Sequence, residues 1–377
     1  MEYLLTHKQI EDKSIVWFSK KNQYVVLENK TADILNDIDS GVSIKNIGKQ
    51  LADEMDIPHE KAIDFVINIE QKLYIPNATK ETNFPHDYKN IKANCEFKLT
   101  KYYKVNNLIF KVDFESENES FLIHPKFSHL EIKKTDEFNY NYQVFTENHH
   151  TFLLVDAIYI GSWHRKDIHY FQGKFSMQMV QHIHQKKEDK WLGIFHASAV
   201  SNTKNTILFL GDSGNGKSTS LALLQANGFT CIADDFVPVD VEKQHIYSFP
   251  SSISIKRNSL ETLLPLYPEL NNSKEYNFKS LNKVVRYLPP NTTDFKQHLP
   301  CKALVFIKYV PNSELIINRI SNLDAFEKLV PDSWLSPITK NAKTFLDWFK
   351  KLPCYQLTYS DNKEMIMTTN KIFNNEL

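Results

Sequence analysis

The stretch "ILFLGDSGNGKSTSLALL" (residues 207–224) decides the fold, because it holds three of the chain's nine glycines within six positions. The preceding "NTILFL" predicts a buried strand, and the following "KSTSLALLQANG" predicts a helix that ends at Gly228. In a strand, glycine-rich turn and helix arranged in this way, backbone N–H groups converge on phosphate oxygens at the helix N-terminus. The stretch therefore predicts a nucleotide triphosphate site on an α/β fold.

The glycine-rich turn matches G-x-x-x-x-G-K-[ST], in which the lysine reaches the β- and γ-phosphates and the serine binds Mg²⁺. ATP and Mg²⁺ are accordingly the predicted cofactors. Lys217 has a predicted catalytic role as well as a phosphate-binding one. The predicted nucleotide-binding residues of the turn are Gly211, Asp212, Ser213, Gly214, Asn215, Gly216, Lys217, Ser218 and Thr219.

Two adjacent carboxylates end the next predicted strand, "GFTCIADDFVPV" (228–239). Asp234 and Asp235 can divide the work, one near the metal and the other accepting the proton of a hydroxyl group. Both are predicted catalytic residues, and Asp235 joins Ser218 in the predicted metal site. Which of the two acids is the base stays open, and a solvated acidic turn is the alternative interpretation.

His196, in "LGIFHASAV" (192–200), precedes the strand that leads into the turn. A histidine among apolar residues is more often a core residue than a catalytic one. The order of this histidine, "FLGDSGNGKST" and "GFTCIADDFVPV", however, resembles bacterial HPr serine kinase/phosphorylase and its kinase relatives. That resemblance implies the fold shared with ATP-dependent phosphoenolpyruvate carboxykinase. It also implies a base at Asp234 or Asp235 and a place for His196 in the same site, so His196 is counted among the predicted catalytic residues.

The chain departs from this family after the paired acids, because it has no glycine beyond Gly228. The arginine- and glycine-rich signature of the bifunctional enzymes is absent, so neither phosphorylase activity nor HPr as substrate is expected. The basic stretch "KSLNKVVRYLPP" (279–290) offers Lys279, Lys283 and Arg286 as phosphate or nucleotide contacts. Arg286 joins the predicted nucleotide-binding residues, with a solvated basic stretch as the alternative.

The N-terminal residues predict two short strands in "SIVWFSKKNQYVVL" (14–27), followed by three small helices, as in a winged-helix unit. Residues 24–73 resemble the PqqD-type domain that recognises leader peptides of ribosomally made, modified peptides. The resemblance implies that a leader peptide adds to the edge strand Tyr24–Leu27 and lies along the helix 60–73. A DNA-binding winged helix is the alternative, but neither helix carries a basic face.

The predicted organisation is an α+β winged-helix domain (1–80), a linker (81–93), a β-rich segment (94–188) and an α/β P-loop kinase domain (189–377). Lys plus Arg and Asp plus Glu number 45 each, so no overall charge favours nucleic acid or membrane as a partner. The four cysteines lack CxxC spacing and predict reduced thiols and no zinc site. A cytoplasmic location is expected, and a homo-oligomer is compatible with the kinase resemblance.

Together these features predict a kinase that phosphorylates a hydroxyl, serine above all, of a precursor peptide held through its leader. A kinase of the same fold that acts on a small molecule or a free amino acid is the first alternative. A protein in which ATP controls peptide binding without catalysis is the second.

Overall fold

The computed structural model describes residues 4–79, 93, 95–278 and 283–377. The chain forms two compact units. The first comprises Met1–Pro85, Trp191–Gly193 and Ile320–Cys354, and the second comprises His86–Lys190, Ile194–Arg319 and Tyr355–Leu377. The predicted kinase domain 189–377 is thus not one continuous unit, because part of it packs with the N-terminal residues. Of the predicted linker 81–93, only residue 93 lies within the described residues.

The elements of the described residues mix helices with several sheets. The strands are β1 Leu5–Ile10, β2 Lys13–Phe18, β3 Gln23–Glu28, β4 Leu99–Val105, β5 Leu108–Phe114, β6 Glu131–Ile132, β7 Tyr140–Glu147, β8 His150–Val155, β9 Ile158–His164, β10 Trp191–Phe195, β11 Ser198–Ser201, β12 Thr206–Leu210, β13 Thr230–Asp234, β14 Val237–Asp240, β15 His245–Tyr247, β16 Ile253–Lys256, β17 Tyr276–Phe278, β18 Lys283–Leu288, β19 His298–Tyr309, β20 Ile316–Arg319, β21 Ser333–Leu335 and β22 Cys354–Tyr359. The helices are α1 Asn29–Asp39, α2 Ile44–Met55, α3 His59–Ile69, α4 Ile75–Ala78, α5 Glu117–Phe127, α6 Ile168–His184, α7 Lys217–Ala226, α8 Leu260–Leu263, α9 Asn322–Leu329, α10 Thr339–Phe349 and α11 Asn362–Asn374.

The first unit is built on an antiparallel sheet in the order β1-β2-β3. Strand β1 lies outside the two strands predicted from the sequence. Val16 and Phe18 of β2 are buried in one cluster with apolar residues of α1, α2 and α3, and Val25 and Leu27 of β3 pack against the same cluster. The three predicted helices therefore cover one face of this sheet.

Helices α9 and α10 contact Tyr24, which lies directly before Val25 in β3. The Tyr24 ring lies 5.8 Å from that of Phe326 and 5.7 Å from that of Phe345, edge-on in both cases. Because successive side chains of a strand point to opposite faces, these contacts place α9 and α10 on the second face of the sheet. The residues from Ile320 to Cys354, which the sequence assigned to the kinase domain, are thus part of the first unit.

The β-rich segment of the second unit forms a six-stranded sheet in the order β6-β4-β5-β7-β8-β9. Not all of the segment predicted to be β-rich is strand, because residues 121–125 ("FLIHP") lie in α5. The Ser116 hydroxyl accepts from the N–H of Asn118 at 3.1 Å and donates to the Glu119 carboxylate at 2.5 Å. This N-terminal cap starts a helix within the β-rich segment.

The sheet that carries the glycine-rich turn runs in the order β13-β11-β12-β19-β15-β14. Strand β11 is antiparallel to both β12 and β13, and β12 is parallel to β19. Strands β13, β12 and β19 therefore point the same way, and their carboxyl ends lie along one edge. Helix α7 buries Leu221 and Leu224 in the cluster that also contains Phe209 and Val305 of the sheet.

Two further features of the structure concern membrane-spanning helices and cysteines. Within the described ranges, no helix combines the length and the apolar character needed to cross a bilayer. The four cysteines, which all lie within the described ranges, form no disulfide with one another.

Candidate functional site

The glycine-rich turn connects β12 to α7, and its three glycines have φ angles of 132° at Gly211, 103° at Gly214 and 97° at Gly216. A Cβ on Gly211 would lie 2.9 Å from the carbonyl oxygen of Ile307, and one on Gly216 would lie 3.3 Å from the Tyr359 hydroxyl. Left-handed backbone angles and close neighbours both require glycine here. Because glycine is scarce in the rest of the chain, its concentration in this turn reflects the backbone geometry that the turn requires.

Lys217 begins α7, and only 7% of the residue is exposed. Its ammonium group donates to the carbonyl oxygen of Gly211 and, at 3.4 Å, to that of Asp212. A buried lysine ammonium needs such acceptors, because a charge without partners is costly to remove from water. The positive charge of Lys217 therefore lies against the backbone carbonyl groups of the turn.

Asp234 is the centre of a buried hydrogen-bond network behind the turn. Its carboxylate accepts from Ser198 Oγ at 2.6 Å, from Ser218 Oγ at 3.0 and 3.1 Å, and from the Ser254 N–H at 3.0 Å. Ser198 faces Asp234 directly across the antiparallel pair of β11 and β13. This pairing is a property of the sheet, which explains why sequence inspection missed Ser198 and Ser254.

The surroundings of Asp234 act on the pKa of its carboxyl group in two opposing ways. Burial and the negative charge of Asp235 raise its pKa, and the hydrogen bonds from Ser198, Ser254 and Ser218 oppose the rise. The residue is 1% exposed. A cation beside this carboxylate would favour its ionised form, since an opposite charge lowers a carboxyl pKa.

Asp235 has the opposite surroundings, although it is the next residue in the chain. Its backbone is left-handed, with φ of 63°, and its N–H donates to the carbonyl oxygen of Ala197 at 2.9 Å. Its carboxylate lies 3.7 Å from Lys126 Nζ, 3.7 Å from Lys283 Nζ and 3.9 Å from His196 Nδ1. The turn at Asp235 therefore directs this acid towards a group of cations.

These cations determine the charge of Asp235. Burial alone would raise its pKa, but the positive charges of Lys126, Lys283, His196 and Lys217 together outweigh that effect and hold the pKa well below its usual range. Asp235 is therefore ionised at neutral pH and lies among cationic side chains. Lys126 belongs to α5, so the β-rich segment, for which no role was predicted, supplies a charge to this site.

An open pocket lies beside these groups; Asp235 lines it, whereas Asp234 and Lys126 do not. The turn contributes Asp212, Ser213, Gly214 and residues 216–219, while His196 and Asp235 line the adjoining wall. The lining also includes residues that the sequence analysis did not single out, namely Ser254, Lys256, Asn258 and Ser259.

Two hydrogen bonds join these additional lining residues to the turn and to the start of α7. Lys256 donates to Ser213 Oγ at 2.9 Å, and Thr219 Oγ1 lies 2.7 Å from Ser259 Oγ. The alternation of Ser254 and Lys256 in "SISIK" was a visible strand signal. It gave no indication that β16 lies beside the turn.

Not every predicted residue reaches the pocket. The prediction for Arg286 is not supported by its position, because its guanidinium donates to the carbonyl oxygens of Leu270 and Asn271, the latter at 2.7 Å. Lys283, three residues earlier, lines the pocket instead. Lys279 lies outside the described residues. Gly211 and Asn215 shape the turn without lining the pocket.

The predicted metal pair is also arranged differently from the expectation. The Ser218 hydroxyl contacts Asp234, whereas the expectation paired Ser218 with Asp235. Hydroxyl and carboxylate oxygens are ligands that Mg²⁺ prefers, and Mg²⁺ is commonly held by one or two carboxylates together with phosphate oxygens. The oxygens of Ser218, Asp234 and Asp235 suit this ion. Within the described ranges there is no cluster of three or more His, Cys, Asp or Glu residues suited to a metal held by protein alone.

No protein-family model matches the chain, and no curated protein matches it. Matches among solved structures include the HPr(Ser) kinase/phosphatase from Coxiella burnetii, which is 9% identical. The match covers 48% of this chain and 95% of that chain, with a TM-score of 0.22. Because this TM-score is low, the interpretation of the pocket rests on its own geometry.

Proposed function

We propose that this protein is a kinase that uses ATP and Mg²⁺ to phosphorylate a hydroxyl group, serine above all, of a precursor peptide. The observation that carries the proposal is one pocket in which a phosphate-binding turn meets the ionised Asp235, with a second carboxylate of opposite character, Asp234, buried next to the pocket lining. Asp234 contacts the Ser218 hydroxyl, and Asp235 faces Lys126 and Lys283. Phosphoryl transfer requires positioning and neutralisation of charge above all, and the pocket offers both.

The roles of the two acids follow from their surroundings. We assign Asp234 to the metal site with Ser218, because these side chains already share a hydrogen bond and a cation would relieve the cost of a buried carboxylate. We assign Asp235 to the acceptor, because it is ionised and lines the open pocket. An ionised carboxylate at this place can accept the hydroxyl proton and orient the attacking oxygen.

Lys217, Lys283 and Lys126 would neutralise the phosphate charge as it moves from the nucleotide to the acceptor. Bound Mg²⁺ would supply further positive charge to the phosphate oxygens. His196, 44% exposed at its side chain, lines the same pocket on the acceptor side with Asp235.

The proposed peptide site is the outer edge of β3, in the first unit. The two edges of this sheet differ in what already occupies their backbone groups. At β1, Asp39 accepts from the N–H groups of Leu4 and Leu5, and Lys350 donates to the carbonyl oxygen of Gln9 at 3.0 Å. Within the described residues, the backbone hydrogen bonds of Tyr24–Leu27 run only to β2. An edge with free backbone groups can accept an added strand, which supports capture of the leader here and along helix 60–73.

Holding the leader on the same chain as the pocket raises the effective concentration of the acceptor serine. The pocket then needs little affinity of its own for the residue that it phosphorylates. This division of labour is the reason to prefer a peptide over a free small molecule as the acceptor.

The direct test supplies the full-length protein with MgATP and either free serine or the peptide encoded by a short open reading frame beside its own gene. We expect phosphate transfer to the peptide, detected by mass spectrometry. Lys217→Ala should abolish transfer and leave peptide affinity unchanged in a binding titration, and the exposed Lys204→Ala should change neither. Phosphorylation of free serine alone would favour the small-molecule alternative, and transfer by Lys217→Ala would remove the proposal.

Hydrogen exchange tests the docking edge separately. The peptide should slow amide exchange at residues 24–27 and leave residues 5–10 unchanged, because a new strand protects only the amides with which it pairs. Equal protection of both edges, or of neither, would contradict docking at β3.

A further inference from the structure

Tyr309 ends β19 directly beside the phosphate-binding turn. Its backbone N–H donates to the carbonyl oxygen of Asn215 at 3.1 Å, and its Cβ would lie 3.4 Å from a Cβ placed on Gly216. The residue is nevertheless 45% exposed. An aromatic side chain is therefore anchored at the turn through its backbone while much of its ring remains open to solvent.

The sheet places Tyr309 and the paired acids on opposite sides of the turn. Strands β13, β12 and β19 point the same way, with β12 between the other two in the sheet order. Asp234 ends β13 and Tyr309 ends β19. Ligands of α/β sheets bind at the carboxyl ends of the strands. A triphosphate whose terminal phosphate lies near the acids therefore has its nucleoside end directed towards β19.

A second tyrosine supports the ring of Tyr309. Tyr359 is 1% exposed, and its ring meets that of Tyr309 edge-on, with centroids 5.5 Å apart and an interplanar angle of 71°. The hydroxyl of Tyr359 lies 2.8 Å from Ser220 Oγ in α7. The exposed ring of Tyr309 thus packs against the buried ring of Tyr359, which is hydrogen-bonded to the phosphate-binding helix. This packing restricts the Tyr309 side chain before a ligand binds, so less conformational entropy is lost when a base stacks on it.

We propose that Tyr309 is the platform on which the nucleobase of the nucleotide stacks, an inference that rests on the proposed kinase function. A flat aromatic side chain can stack on any nucleobase, because every base has a π face. The phosphate-binding turn would hold the triphosphate, and Tyr309 would supply the contact that distinguishes a nucleotide from a bare polyphosphate.

The test compares two probes by calorimetry in the presence of Mg²⁺, a non-hydrolysable ATP analogue and inorganic tripolyphosphate, which has no base. Tyr309→Ala should weaken binding of the ATP analogue about tenfold, as expected for the loss of one base–aromatic stack. Its affinity for tripolyphosphate should match that of the unchanged protein. Tyr309→Phe should bind both probes as the unchanged protein does, and Tyr170→Ala, at an exposed tyrosine of α6, is the matched control.

Equal losses for the two probes in Tyr309→Ala would mean that the residue only supports the turn, and no loss for either would mean that the base lies elsewhere; both results overturn the proposal. Tyr309→Trp provides a fluorescence test. If the base stacks on residue 309, the ATP analogue should quench the fluorescence of the new tryptophan and tripolyphosphate should not, whereas a residue that only supports the turn would show no such difference. If the unchanged protein binds neither probe, the kinase proposal fails together with the platform. If it binds both equally tightly, the platform alone fails.

Discussion

The Ser218 hydroxyl donates to the Asp234 carboxylate, with distances of 3.1 Å to Oδ1 and 3.0 Å to Oδ2. This contact joins the first turn of the phosphate-binding helix to the end of β13. It leaves Asp235, the next residue, as the carboxylate that faces the open pocket. Two neighbouring acids are therefore separable by experiment, since one is tied to the proposed metal site and the other to the proposed acceptor.

Asp234→Asn should weaken Mg²⁺-dependent binding of a non-hydrolysable ATP analogue. The amide keeps the size of the side chain but removes the negative charge that we assign to the metal site, and one of its two polar atoms can no longer accept a hydrogen bond. Calorimetry at increasing Mg²⁺ concentrations measures the effect. The exposed Asp332→Asn should behave as the unchanged protein. Mg²⁺ dependence that is unaltered in Asp234→Asn would contradict this assignment.

Asp235→Asn should lower kcat by on the order of 10² to 10⁴, the usual contribution of a positioned base. Affinity for the ATP analogue should be retained or increased, because the substitution removes a negative charge from a pocket that binds a polyanion. Steady-state kinetics with the peptide acceptor and calorimetry with the analogue separate the two quantities. A loss of nucleotide affinity as large as the loss of kcat would argue against a role on the acceptor.

Lys126→Met should lower kcat while leaving the affinity for the ATP analogue within a few-fold, if this lysine stabilises charge during transfer rather than in the bound nucleotide. Lys126→Arg should recover part of the activity, since it restores the charge with a different shape. The exposed Lys134→Met, in the same segment, is the control. Full activity in Lys126→Met would show that the β-rich segment contributes no charge to the reaction.

Lys126 also shows where prediction from the sequence reached its limit. The turn, Lys217, Ser218 and the paired acids could be found because their chemistry depends on neighbours in the chain and on the strand and helix that flank them. Lys126 lies more than a hundred residues from Asp235, and nothing in "FLIHPKF" indicates that it approaches that acid. Lys256 and Ser259 were missed for the same reason, because only the packing of β16 brings them to the turn.

Arg286 illustrates the opposite error. A basic residue after a phosphate-binding motif is a reasonable candidate ligand, but β18 directs its side chain to the carbonyl oxygens of Leu270 and Asn271.

In the first unit, local patterns predicted the three helices correctly. They could not indicate that α9 and α10 pack on the sheet, because Tyr24 and Phe345 are far apart in the sequence.

Gly216→Ala should abolish measurable binding of the ATP analogue. The residue has a left-handed backbone, and the added carbon would meet Tyr309 and Tyr359 at 3.4 and 3.3 Å. Gly228→Ala is the matched control, because Gly228 is also left-handed but has open space around its Cβ position. That control should lose roughly 1 kcal/mol of stability from backbone strain alone and bind nucleotide normally. Thermal unfolding and calorimetry on both variants check the prediction, which equal binding defects would contradict.

Acidification should destabilise the second unit through its buried histidines. Burial lowers the pKa of His184 to about 4, and that of His129 to about 4 as well. An unfolded histidine takes up its proton near pH 6.5, so between these values the unfolded chain binds more protons and stability falls as the pH falls. Each residue should cost roughly 2 kcal/mol by about pH 5.

His184→Gln tests this dependence, because its amide can still donate to the carbonyl oxygen of Ser248, which His184 Nε2 meets at 2.9 Å. Denaturant unfolding between pH 7 and pH 5 should show a shallower loss of stability in this variant. His169→Gln, at an exposed position of α6, should follow the unchanged protein. If His184→Gln does not fold, His129→Asn provides the same comparison, because its amide can replace the contact of His129 Nδ1 with Ser252 Oγ at 2.8 Å. An unchanged slope in the folded variant would show that burial of the imidazole does not govern the acid sensitivity.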